Sequence, residues 1–210
     1  KGYDVAVGGV SAYSTLGNLT DPVLSSMLRW DDIQLVGTLF HELAHQVLYV
    51  KGDTGFNESF ATAVEEFGLQ RWLQARGQLE DLETYWQRRQ LREELMTLVA
   101  AAREDLRRHY ATPLEDDEKR RLKAARLLEL SQGIKLQLEK AGRSAADWLH
   151  GDLNNARLAS MTLYEGWLPA FRGLLRECNQ DLPCFYTQAA ELANLEREVR
   201  EERLSLLARR

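Results

Sequence analysis

Leu39-Phe40-His41-Glu42-Leu43-Ala44-His45-Gln46-Val47-Leu48 is the stretch on which the reading of this chain turns. Two histidines four residues apart on an α-helix project from one face, about one turn apart, so both imidazoles can reach one metal ion. The glutamate after the first histidine then lies beside an open coordination position, where it can take a proton from water. His and Glu are also ordinary on a solvated helix face. Here, however, Ile33, Leu35, Val36, Leu39, Phe40, Leu43, Ala44, Val47 and Leu48 make the helix apolar almost all round. Burying His41, Glu42 and His45 in such a helix costs several kcal/mol unless something pairs with them.

Two histidines do not complete a catalytic zinc site; a third protein ligand is needed, with the fourth position left open. His109 and His150 lie far along the chain with no motif around them. Glu58, in Phe56-Asn57-Glu58-Ser59-Phe60-Ala61, is the better candidate. Residues 46–57 give the chain room to leave the first helix, turn at Lys51-Gly52-Asp53-Thr54-Gly55 and start a second. The predicted metal set is therefore His41, His45 and Glu58 on one Zn2+ ion. Asp31 or Asp32 caps the first helix, which runs to about Tyr49, and Asn57 caps the second, which runs through Arg76 to a stop at Gly77. Glu65 falls two turns beyond Glu58 on the same face. It either hydrogen-bonds a ligating histidine or is an exposed helix glutamate like Glu66.

Outward from this core, residues 3–17 are the only convincing β material, rich in Val, Tyr and Ser/Thr and interrupted by Gly8-Gly9. From residue 79 the pattern is helical almost to the end. Leu79, Leu82, Trp86, Leu91, Leu95, Leu98, Ala102 and Leu106 mark one face of a long helix. Leu122, Leu127, Leu130, Ile134 and Leu138 mark the next, which starts near Pro113 and the Asp116-Asp117-Glu118 cluster. A further helix follows Asn154-Asn155, and a last one runs from about Tyr186 into the charged tail. The long pair reads as a helical hairpin with solvated charged faces, or as a docking module for a partner.

The chain has 210 residues, 44% of them apolar and 28% charged, enough for a sizeable core. A net charge of −5 with no basic patch argues against nucleic acid. No apolar run approaches a membrane span. Because it starts at Lys1 rather than methionine, the chain reads as the C-terminal part of a longer protein, so membrane association would come only from an N-terminal anchor outside it. Cys178 and Cys184 are six apart across Asn179-Gln180-Asp181-Leu182-Pro183, an exposed turn that suits a disulfide in an oxidising compartment; two free buried thiols are the alternative.

Asn57-Glu58-Ser59-Phe60-Ala61 followed by Glu65 resembles the third-ligand segment of aminopeptidase N-like zinc enzymes, with Ser59 where glycine is usual. A resemblance to the bacterial predicted zinc aminopeptidase family covers nearly the whole chain. It is carried by Tyr3-Asp4-Val5 with Gly8-Gly9-Val10, by Ala12-Tyr13-Ser14-Thr15-Leu16-Gly17, by Asp21-Pro22 and by residues 40–61. Leu153-Asn154-Asn155-Ala156 and Leu168-Pro169-Ala170-Phe171 add less specific matches. The resemblance implies a gluzincin-like metallopeptidase in the bacterial cell envelope, in the periplasm. Glu42 is then the general base, and Tyr164 the donor to the tetrahedral oxyanion, with a packed core tyrosine as the plain alternative. Residues 7–17 would offer an edge strand to a peptide substrate, unless they form a plain structural hairpin. They hold no acidic residue where aminopeptidase N-like enzymes bind the substrate ammonium; Asp21, Glu65 or a group in a preceding N-terminal region could serve.

The expected fold is mainly α with a small N-terminal β element (α+β), a zincin-like core over residues 1–77 followed by a long helical region over 78–210. The expected function is zinc-dependent peptide hydrolysis, as an aminopeptidase. An endopeptidase and a non-catalytic helical envelope protein with a structural or relic zinc site are the alternatives.

Overall fold

A computed structural model describes residues 3–7, 23–25, 27–145, 153–161 and 166–209. Eight α-helices follow a short 3-10 turn (Met27–Arg29) among them: α1 (Asp32–Val47), α2 (Thr54–Ala75), α3 (Leu79–Tyr110), α4 (Asp116–Lys140), α5 (Asn155–Met161), α6 (Leu168–Glu177), α7 (Leu182–Ala193) and α8 (Arg197–Leu207). None is long and apolar enough to cross a membrane.

The expected α+β zincin-like core is corrected by this architecture: the described residues are helical, with no strand and no sheet. A strand needs a partner ladder, and β propensity measures fit to such a surface rather than an intrinsic backbone choice. Residues 3–7, the described part of the predicted β element, have no regular structure and meet side chains instead. Asp4 accepts from Lys123 and from the backbone N–H of Asn155, and the Val5 carbonyl accepts from the Asn154 amide at 3.0 Å. The Lys123 ammonium and the Asn155 N–H hold the Asp4 carboxyl below the usual carboxylate range. Tyr3, Val5 and Val7 stay exposed, and no strand among the described residues faces them. The rest of that element, residues 8–17, lies outside the described residues.

The chain divides into two compact units. One comprises Lys1–Gly8 with Glu83–Thr162, the other Gly9–Leu82 with Leu163–Arg210, so the boundary falls in the first turn of α3. In the first unit, Leu95, Val99, Ala102 and Leu106 of α3 pack with Leu130, Ile134 and Leu138 of α4 and Leu158 of α5. The helix-period stripes read from the sequence therefore place most of this core. Leu79, at the start of the predicted stripe, is exposed instead. Asn154 caps α5, its Oδ1 accepting from the Arg157 N–H at 2.9 Å.

The second unit is built on α1, α2 and the three C-terminal helices. Phe56 and Phe60 of α2 pack against Phe171 of α6 and Phe185 of α7, with ring centroids 5.0 to 6.2 Å apart. Such aromatic pairs contribute about 0.5–1.5 kcal/mol each beyond the area they bury. Glu66, expected on a solvated face like its neighbours, is buried and takes a two-bond fork from Arg172 of α6, both at 2.7 Å. At Gly173 an added Cβ would meet the Leu207 carbonyl oxygen at 2.5 Å, so only glycine lets α6 and α8 approach this closely. The single C-terminal helix expected from about Tyr186 is two, broken at Asn194–Glu196, and α6 has no counterpart in the sequence reading.

Cys178 and Cys184 are joined in a disulfide, with Cα atoms 5.7 Å apart. It closes the α6–α7 turn, where Asn179 (φ 51°) and Gln180 (φ 60°) are both left-handed without being glycine. Their N–H groups return to the carbonyls of Arg176 and Leu175, which ends α6. Reducing this bond should lower stability by about 2 kcal/mol, the loop-closure entropy of so short a ring. Melting temperatures with and without reductant, with thiol content measured alongside, check this; identical curves for the bonded and reduced forms would contradict that contribution.

Candidate metal centre

Asp31 starts the helix that carries the histidines: its side chain accepts from the Gln34 N–H at 2.8 Å. α1 then runs to Val47, two residues short of the expected end. Gly52 (φ 82°) turns the chain, and Asp53, not Asn57, caps α2 by accepting from the Phe56 N–H at 3.1 Å. Glu58 consequently sits in the second turn of α2, not its first.

Asn57 does a different job. It is 2% exposed, and its side chain accepts from the Val50 N–H at 2.7 Å and donates to the Val50 carbonyl at 2.8 Å. One amide thereby mimics a backbone partner and closes the α1–α2 turn next to Glu58. Asn57→Ala should cost about 2 kcal/mol, since it strands the Val50 N–H in a half-buried turn. Denaturant unfolding of that variant measures it, and a loss below a few tenths of a kcal/mol would contradict the bracing role.

The turn brings α2 back along α1, and the two helices bring His41, His45 and Glu58 together. Their ligand atoms all lie within 4.8 Å of one another, a group that could hold a metal ion. His41 Nε2 is 3.2 Å from Glu58 Oε2, and His45 Nε2 is 3.7 Å from Glu58 Oε1. Donors about 2.1 Å from a tetrahedral zinc stand roughly 3.4 Å apart, so the two histidine–glutamate spacings suit such an ion, and the set as a whole would draw in around it by about an ångström. The two imidazoles meet edge to face, with ring centroids 4.9 Å apart. Behind His41, Nδ1 lies 3.2 Å from Glu65 Oε2, the arrangement in which a carboxylate fixes the tautomer of a histidine facing a cation. Of the two sequence alternatives for Glu65, the structure has the one that reaches a histidine.

The charges of the site agree with this geometry. Burial disfavours a charged His41, but hydrogen bonds and charges from Glu58 and Glu65 outweigh it and push its pKa up to about 9. Burial and the neighbouring His41 charge push His45 down, against the pull of Glu58. Without metal, then, one imidazolium sits between two carboxylates, and a cation would take the place of its proton. His45 is buried, and its Nδ1 finds no hydrogen-bond partner among the described residues.

Glu42 is half-buried on α1, one residue round from His41. Tyr164 and Asp21 lie outside the described residues. Asn154 and Asn155 serve as a cap and as a tether for residues 4 and 5. Sequence reasoning missed the buried Asp53–Arg200 pair, with Arg200 Nη2 2.9 Å from Asp53 Oδ2. The one signal for it was a cap-type residue, Asp53, three positions before a buried phenylalanine.

No curated protein and no solved structure matches the chain. A family model described as "Putative aminopeptidase" matches residues 1–204, which include the group that could hold a metal, both cysteines and every helix but the end of α8. With nearly its whole length matched, the chain belongs to that aminopeptidase family.

Proposed function

We propose that this protein is a zinc-dependent aminopeptidase in which His41, His45 and Glu58 hold one zinc ion and Glu42 is the general base. The observation that carries the reading is the convergence of two imidazole Nε2 atoms on one carboxylate, with Glu65 behind the first imidazole. Zinc bound there would lower the pKa of a water and polarise a peptide carbonyl. Glu42 accepts the proton of the attacking water and passes it to the departing amine. Glu65 keeps the Nδ1 proton on His41, so that Nε2 presents its lone pair to the metal. Tyr164 donates to the developing oxyanion, a role assigned from its family resemblance. Family membership favours removal of single N-terminal residues over internal cleavage. The disulfide supports an oxidising cell-envelope compartment, the periplasm, as the place of work.

Mass-spectrometric mapping of cleavage in a mixed peptide library, free and N-acetylated, tests this beside a Glu42→Gln control. The expected result is stepwise loss from free N-termini only, absent in the control. Internal cuts that ignore acetylation would make the protein an endopeptidase. No cleavage by zinc-loaded protein would leave the metal a structural or relic role.

A further inference from the structure

We infer that Arg200, on the C-terminal helix α8, is a positioning residue for the metal ligand Glu58 and acts through Asp53. The inference rests on the metal reading above and adds a requirement for the far end of the chain. Arg200 is 5% exposed and Asp53 8%, and they meet across 147 positions of sequence. The guanidinium uses Nε and Nη2 on Asp53 Oδ2, at 3.2 and 2.9 Å, and Nη1 on the carbonyls of Ala193 and Leu195, both at 3.0 Å. It also lies 5.4 Å from the ring centroid of Phe56. Asp53's other oxygen caps α2 at Phe56, two residues before Glu58. The fork thus fixes both the direction and the rotation of the first turn of α2, immediately before the turn that carries the ligand.

A buried ion pair is a poor source of net stability, because desolvating both charges offsets their attraction. Geometry is the better account of this one. Metal donors work only when held to about half an ångström, by neighbours whose own conformations are locked. Asp53 is locked from one side by Arg200 and from the other by the helix it caps. The Glu66–Arg172 pair also joins α2 to a C-terminal helix through a two-bond fork, but it lies two turns beyond Glu58. It therefore serves as a control of matched chemistry.

Zn2+ affinity, by competition with a chromogenic chelator, and the visible spectrum of Co2+-loaded protein should be measured for wild type, Arg200→Lys, Arg200→Met, Arg172→Lys and Glu58→Gln. Lysine keeps the charge but cannot hold the fork to Asp53 and both carbonyls, so it remains informative if the methionine variant does not fold. Arg200→Lys is expected to bind Zn2+ at least about tenfold more weakly, the loss typical of residues that orient metal ligands. Its Co2+ spectrum should shift toward that of Glu58→Gln, while Arg172→Lys keeps wild-type affinity and spectrum. Unchanged affinity in Arg200→Lys would overturn the inference and leave the metal reading standing. An equal loss in Arg172→Lys would overturn it too, as general loosening of α2. Wild type that binds Zn2+ no better than Glu58→Gln would overturn both.

Discussion

Glu42→Gln should lower kcat by about 10²–10⁴-fold while one equivalent of zinc stays bound. The substitution keeps the size and most of the hydrogen bonding of the side chain but removes its ability to accept a proton. The three proposed donors, His41, His45 and Glu58, are untouched, so metal affinity should stay within a few-fold of wild type. The expected pattern is a large fall in kcat with little change in KM, the signature of an interaction made only in the transition state. Metal content by elemental analysis and turnover on a short free peptide check the two halves separately. Unchanged turnover would remove Glu42 as the base. Loss of zinc with turnover would make Glu42 part of the metal set.

His45→Ala should abolish zinc binding and activity together. Losing a direct donor should weaken the site by more than about 100-fold, beyond the range for residues that only orient ligands. Stability gives an independent readout. A ligand that binds the native state at a thousand times its Kd adds about 4 kcal/mol, so stripping zinc from wild type should lower its melting temperature. His45→Ala should show no such zinc-dependent shift. Its metal-free form should lie close to metal-free wild type, because two effects oppose: alanine leaves a cavity, yet removes a buried imidazole whose Nδ1 has no partner among the described residues. A zinc-dependent shift that survived in His45→Ala would exclude His45 as a ligand.

The group that could hold a metal was legible in the sequence because helix periodicity is local. Residues four apart share a face whatever surrounds them, so His41 and His45 followed from spacing alone. Glu58 followed from a turn-sized gap of twelve residues; two further turns put Glu65 on the same face but did not choose between a histidine partner and solvent. The same logic placed Leu95, Ala102, Leu106, Leu130, Ile134 and Leu138 in a core, since apolar stripes on long helices must meet something. The cysteine spacing around a polar turn likewise allowed the disulfide.

What the tertiary structure alone decided are the questions that distant partners settle. Whether Tyr3–Val7 becomes a strand depends on a facing strand, and the described chain supplies Lys123, Asn154 and Asn155 instead. Asn57 looks like a cap because the residues before it look like a loop; Asp53, six residues after Val47, wins the cap and leaves Asn57 to brace Val50. Glu66 and Arg200 look solvated because charged side chains usually are. Both are buried, each paired across more than a hundred positions, and no local pattern encodes a partner that far away. Local periodicity determined which side chains could hold a metal; long-range burial and charge pairing decided what holds those side chains in place.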